Sequence, residues 1–291
     1  PARRHRPAFR RADRLSLLHV QSSPRLAQIR PEPLVRDCRQ RTRLPALRPL
    51  ASNGTSGRRN RGEPERGNGY PFEETVRYHV SFTDKKVKKV FFPFHLRIPG
   101  WCKQPVVKLN GKPLTVDAYP GTVTRINREW KQGDVLTVEL PMQVAASRWY
   151  GGSAVIERGP LVYALKMNEK WEKKTFEGEK AAQYGNWYYQ VTSDSPWNYA
   201  LTHKSLEPDQ INDNFVVEKT KVTTDYPWNI ENAPITIKAK GKRLNGWSLY
   251  RGSSGSISYF TQQGNDMGDE ESIELIPYGC TTLRITEFPV R

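Results

Sequence analysis

The sequence predicts an all-β fold: two antiparallel β-sandwich domains preceded by a largely unstructured Arg-rich segment. Three observations predict it. From Tyr70 onward, short runs of alternating apolar residues recur between turn signals. Helical periodicity is almost missing there. The composition also breaks sharply near residue 70, which divides the chain into residues 1–69, 70–150 and 151–291.

The break is clearest in the charge. Of the net +16, residues 1–70 supply +12, with 17 Arg, no Lys and 5 acidic residues; the rest carries only +4. Three readings of residues 1–69 compete. A disordered basic tail is one, since polar, Pro-rich sequence cannot bury enough surface to fold. A tail holding phosphate or RNA is the second, but no aromatics are interleaved to stack on bases. The preferred third reading is out-of-frame translation. Codons for Leu17 to Gln21 permit the text C-C-T-C-N one nucleotide out of register, and Ser22 to Arg43 and Asn60 to Asn68 permit further text that leads into Gly69 and Tyr70. The coding nucleotides for residues 1–75 test it. The chain begins at Pro1, so the true start is expected upstream.

In the first domain, Thr75 to Phe82 alternates, with Val76, Tyr78, Val80 and Phe82 on one face. Val90 to Ile98 reads as a second strand. Val106 to Leu109 runs into Asn110-Gly111, a strong hairpin signal. Val123 to Ile126 follows, then Trp130, a turn at Gln132-Gly133-Asp134 and the alternating strand Val135 to Leu140. In the second domain the sequence predicts two strands around Gly159-Pro160, an aromatic stretch Trp187 to Gln190, a strand Ile235 to Ala239 and a closing hairpin, joined by long polar connections such as Asp194 to Asp213. No apolar run approaches the roughly 20 residues that span a bilayer, so no membrane partner is expected.

Several phrases follow one another in an order that resembles the β-L-arabinofuranosidase family, glycoside hydrolase family 127. They are Leu96-Arg97-Ile98-Pro99-Gly100-Trp101, Leu109-Asn110-Gly111-Lys112, Arg128 to Asp134, Ile156 to Leu165, and Leu275 to Thr281 with Leu283-Arg284-Ile285. The resemblance covers nearly all of residues 70–291 and implies the C-terminal β part of a bacterial glycoside hydrolase. It implies hydrolysis of O-glycosidic bonds in plant-type glycans with retention of configuration. In such enzymes a zinc-bound Cys is the nucleophile and a Glu the acid/base, a two-step displacement. The paired cysteines of that centre fall, in the shifted frame, beneath Leu17 to His19, and the acid/base Glu is expected upstream of Pro1. The sequence therefore predicts no catalytic, cofactor-binding or metal residue in this chain. Zinc belongs to intact relatives, and carbohydrate is met through the missing catalytic domain. Oligomeric state and compartment stay open: the relatives imply a periplasmic, extracellular or cytoplasmic place, with periplasmic or extracellular put first, and the chain itself carries no address.

The residues that invite a role also have plainer readings. Cys38, Cys102 and Cys280 lie too far apart for a disulfide framework or a zinc motif. Cys38 matches no family cysteine, Cys102 reads as a strand-end thiol, and Cys280 as a core or turn residue. His79 and His95 are expected as packed or exposed strand residues. Glu157 and Arg158 read as a surface ion pair. Trp187, Tyr188 and Tyr189 offer either core packing or a sugar-stacking platform. The alternatives to the hydrolase fragment are thus a stand-alone carbohydrate-binding module and a basic nucleic-acid-binding protein. The balanced charge of residues 71–291 argues against the last, so no nucleic-acid partner is expected.

Overall fold

The computed structural model describes residues 69–82, 86–221, 226–257 and 267–291, and, upstream, the two short paired strands Val35–Arg36 and Thr42–Arg43. The rest of the Arg-rich segment, including the text expected beneath Leu17 to His19 and Cys38, lies outside the described residues. Within them the protein is all-β with two short helices, α1 (Glu179–Tyr184) and α2 (Ile211–Asn214).

The first part packs a four-stranded sheet against a two-stranded ladder. In the sheet, β1 (Thr75–His79) pairs with β6 (Val135–Glu139), β6 with β3 (Val106–Leu109), and β3 with β4 (Lys112–Pro113). The register Val76↔Val138↔Val107 and Tyr78↔Leu136↔Leu109 turns one apolar row inward. The ladder joins β2 (Lys89–Arg97) to β5 (Val123–Lys131) along nine residues each. Trp130 fills the space between them: fully buried, it donates from Nε1 to the Phe92 carbonyl at 3.0 Å. Leu96, Ile98, Leu136, Val138 and Leu140 surround it. Asn110 and Gly111 hold positive φ of 49° and 80°, which suits the tight hairpin expected there. Asn110 Nδ2 donates to Asp134 Oδ1 at 2.9 Å, and Asp134 Oδ2 accepts from the Lys131 N–H at 2.8 Å. Burial alone would raise the Asp134 carboxyl; the bonds from Asn110 and Lys131 outweigh it and hold the pKa below the ordinary value.

The second part is one eight-stranded sheet wrapped around its own core. Its strands are β7 (Val144–Arg148), β8 (Ala154–Arg158), β9 (Leu161–Leu165), β12 (Tyr199–Ala200), β13 (Val216–Lys219), β14 (Ile235–Leu244), β17 (Met267–Pro277) and β18 (Glu287–Phe288), while β15 (Leu249–Tyr250) and β16 (Ser253–Ser254) pair only with each other. The two ends of the strand order, β12 and β18, meet: Leu201 bridges Val290, its N–H donates to the Pro289 carbonyl, and the Arg291 N–H returns to the Leu201 carbonyl. The layers of this sandwich are therefore continuous through a hydrogen-bonded circuit. Ile156, Tyr163, Leu165, Leu201, Phe215, Ile237, Leu275 and Phe288 fill it. The β8–β9 turn needs Gly159, at φ 59°, because a Cβ there would meet Met142 Sδ at 2.4 Å.

Two expectations change. No closing hairpin forms at Leu283–Ile285: β17 ends in a 3₁₀ turn at Tyr278–Cys280, and the chain runs irregularly to β18. Arg158 is not a surface partner of Glu157. Its side chain is only 3% exposed and pairs with Glu74 of the first part, which also accepts from Lys219 Nζ at 3.2 Å. Strand alternation explains this, since adjacent residues 157 and 158 point to opposite faces. Glu157 instead accepts from Ser147 Oγ at 3.0 Å. Phe72 crosses the same junction to pack against Trp228, with centroids 4.7 Å apart and the rings tilted by 51°.

Candidate functional site

Among the described residues the thiols and imidazoles do not converge. Cys102 packs in the first core and Cys280 in the satellite cluster with Ala233 and Ile276. Burial raises both thiols, Cys280 to about 11, which opposes the thiolate that a metal or nucleophilic role requires. His79 is exposed on β1, and His95 is half-buried on β2 with no partner for Nδ1 among the described residues. No three His, Cys, Asp or Glu side chains gather among the described residues. Among the described residues the donors do not fit zinc.

The most developed surface feature is a hairpin that belongs to neither large sheet. Strand β10 (Lys170–Thr175) pairs over its whole length with β11 (Trp187–Thr192), and α1 lies between them. The register puts Trp171, Lys173 and Thr175 on one face with Val191, Tyr189 and Trp187, because directly opposed residues share a face. Trp171 meets Tyr189 edge-on at 5.5 Å, Tyr189 meets Trp187 at 5.3 Å, and Lys173 Nζ caps the Trp187 ring at 4.5 Å. On the other face Tyr188 packs against Phe176, the rings tilted and their centroids 4.6 Å apart. Trp187, Tyr188 and Tyr189 are half-buried, within the hairpin's own aromatic packing rather than in a domain core.

The base of this arm is pinned. Glu169 Oε1 accepts from Thr281 Oγ1, and from the N–H groups of Thr282 and Leu283, at 2.7, 2.5 and 2.9 Å; Oε2 accepts from Trp171 Nε1 at 3.1 Å. Asn168 bonds to Asp194 and Ser195, and Ser193 Oγ donates to Asn168 Oδ1 at 2.9 Å. Hydrogen bonds from Lys170, then Asn168, keep the Asp194 carboxyl below the ordinary range. Beside this base lies a cleft of about 980 Å³, bordered by Asn168, Ser195, Asn214, Lys240, Met167 and Pro196. The sequence reading anticipated neither Glu169 nor the cleft. Both join residues about 100 apart, and no local pattern marks them.

The first part supplies the most direct comparison. Residues 63–142 match the family model described as the GH127 middle domain of β-L-arabinofuranosidases. The resemblance to GH127 read from the strand phrases is thus met again on the segment that builds the Trp130 core. No curated protein matches the chain. Among solved structures, a glycoside hydrolase is similar at 21% identity with a TM-score of 0.46, covering 77% of this chain and 31% of that one. A GH127 β-L-arabinofuranosidase from Geobacillus stearothermophilus T6 is similar at 20% identity, TM-score 0.46, over 77% of this chain and 30% of its own. A GH127 β-arabinofuranosidase is similar at 18%, TM-score 0.46, over 77% and 31%. The chain spans about a third of the length of these structures. The GH127 middle-domain segment includes Cys102, His79 and His95 and ends just before β7.

Proposed function

We propose that residues 69–291 are the non-catalytic β part of a GH127-like glycoside hydrolase, supporting a separate catalytic domain rather than cleaving glycosides themselves. The match of residues 63–142 to the GH127 middle domain carries this reading. Chemistry of the chain's own residues supports the division of labour. Retaining hydrolysis with a zinc-held thiolate needs a cysteine whose proton is easily lost, and burial pushes Cys102 and Cys280 the opposite way. No step of bond cleavage is therefore assigned to this chain. Its contribution is mechanical: the Arg158–Glu74–Lys219 contact and the Phe72–Trp228 ring contact lock two β units into one support.

The test is release of arabinose or chromophore from an aryl β-L-arabinofuranoside by the full chain, with and without added Zn²⁺. Release at the no-protein background in both conditions is expected. Zinc-dependent turnover by the purified chain would overturn the reading.

A further inference from the structure

We propose that the cleft at the base of the β10–β11 arm, together with the Trp171–Tyr189 corner above it, is a binding site for a neutral oligosaccharide. The charge of the cleft selects the ligand class. Its three lysines are each already paired: Lys166 with Glu274 at 2.7 Å, Lys238 with Glu218 at 2.8 Å and Lys240 with Glu270 at 2.9 Å. An anionic ligand would have to break these pairs, and a cation would compete with the lysines. A ligand without net charge can use them as they stand, taking hydrogen bonds from the ammonium groups and giving its own to the carboxylates. Asn168, Ser195 and Asn214 add side chains that both donate and accept, the mixture that suits a row of hydroxyls. Met167 and Pro196 give the same cleft an apolar border, as binding pockets commonly have.

The arm supplies the second element of sugar recognition. Trp171 is 45% exposed at the root of β10, three residues from the cleft residue Asn168. Its indole N–H is tied to Glu169, itself clamped to the loop at residues 281–283, so the ring is held in place before any ligand arrives. A ring fixed in advance loses little entropy on binding. Trp171 and Tyr189 stand at 75°, forming a corner rather than a flat platform, so a sugar ring can lie on one face while meeting the edge of the other. Trp187 is excluded from that role, because Lys173 already occupies one face of its ring. The arm's own stability does not explain Trp171 fully. Phe176, Tyr184 and Tyr188 already pack the tip, while Trp171 leaves nearly half its surface in water.

Isothermal titration of the full chain with soluble linear arabino-, xylo- and cello-oligosaccharides, and with polygalacturonate as an anionic control, tests the site. Binding of at least one neutral glycan at millimolar concentration or tighter is expected. Trp171→Ala should weaken it about tenfold and Lys240→Ala about threefold, in line with one aromatic and one polar contact. Both side chains are substantially exposed, so the melting temperature of either variant should stay that of the parent. No binding of any neutral glycan, tighter binding of polygalacturonate, or parental affinity in both variants overturns the proposal. The site stands apart from the hydrolase reading: a chain that binds glycans and also releases arabinose refutes only the latter.

Discussion

At the scale of single residues, the junction rests on one buried cation. Arg158 is almost wholly removed from water, and Glu74 is its counter-charge, with Met142 Sδ 3.7 Å from the guanidinium. Removing one partner of such a pair strands the other, which costs roughly 3–5 kcal/mol where both are deeply buried. Glu74 is 31% exposed, so Glu74→Ala is expected at the low end, about 3 kcal/mol, read as a fall in the urea midpoint. Adding Arg158→Met to that variant should recover part of the loss, since the stranded charge is then gone. No recovery would mean that the guanidinium contributes through packing alone. The thiols give a second prediction, on pH. Burial raises Cys280 to about 11, whereas the unfolded thiol titrates near 9, so the folded state keeps a proton that the unfolded state releases. Stability from this group is complete below pH 9 and is lost as pH rises through 11, on the order of 3 kcal/mol for a shift from 9 to about 11. Urea midpoints between pH 8 and 11 should fall more steeply in the parent than in Cys280→Ala. Equal slopes would refute that origin.

At the scale of elements, legibility followed burial geometry. Thr75–His79 and Val135–Glu139 were readable because one face meets the Trp130 core and the other meets water, so apolar residues alternate. Asn110-Gly111 was readable because its two positive φ angles demand those residue types. Val123–Lys131 looked broken after Ile126, yet the strand is continuous. Arg128 occupies the inward position between Ile126 and Trp130 and lays its guanidinium over the Trp130 ring at 5.3 Å, so a charged residue stands where the pattern wants an apolar one. Strand β10 was illegible for the opposite reason: all six residues are exposed, and its pairing is carried by the aromatics of β11. The candidate site shared that fate. Trp187, Tyr188 and Tyr189 were visible as aromatics, but Trp171, Glu169 and the cleft depend on contacts between distant segments.

At the scale of the whole molecule, the second part has a vulnerability that no single strand shows. A sheet edge exposes unpaired backbone groups; β7 and β13 each keep such an edge, paired on one side only, whereas the two ends of the main strand order are covered by joining at Leu201 and Val290. Three backbone bonds make the seam: Leu201 N–H to Pro289 O at 2.9 Å, Arg291 N–H to Leu201 O at 2.9 Å and His203 N–H to Arg291 O at 2.8 Å. Ending the chain at Phe288 removes all three and uncovers Leu201, which is completely buried. At about 1 kcal/mol for each backbone bond, with part of a Leu side chain newly wetted, the truncated protein should lose roughly 3–4 kcal/mol. The opened edge should also pair with other copies, so light scattering should rise with concentration in the truncated chain and stay flat in the parent. An unchanged urea midpoint together with flat scattering would show that the sheet stays closed without its last three residues, and that the circuit is a consequence of the packed core rather than one of its supports.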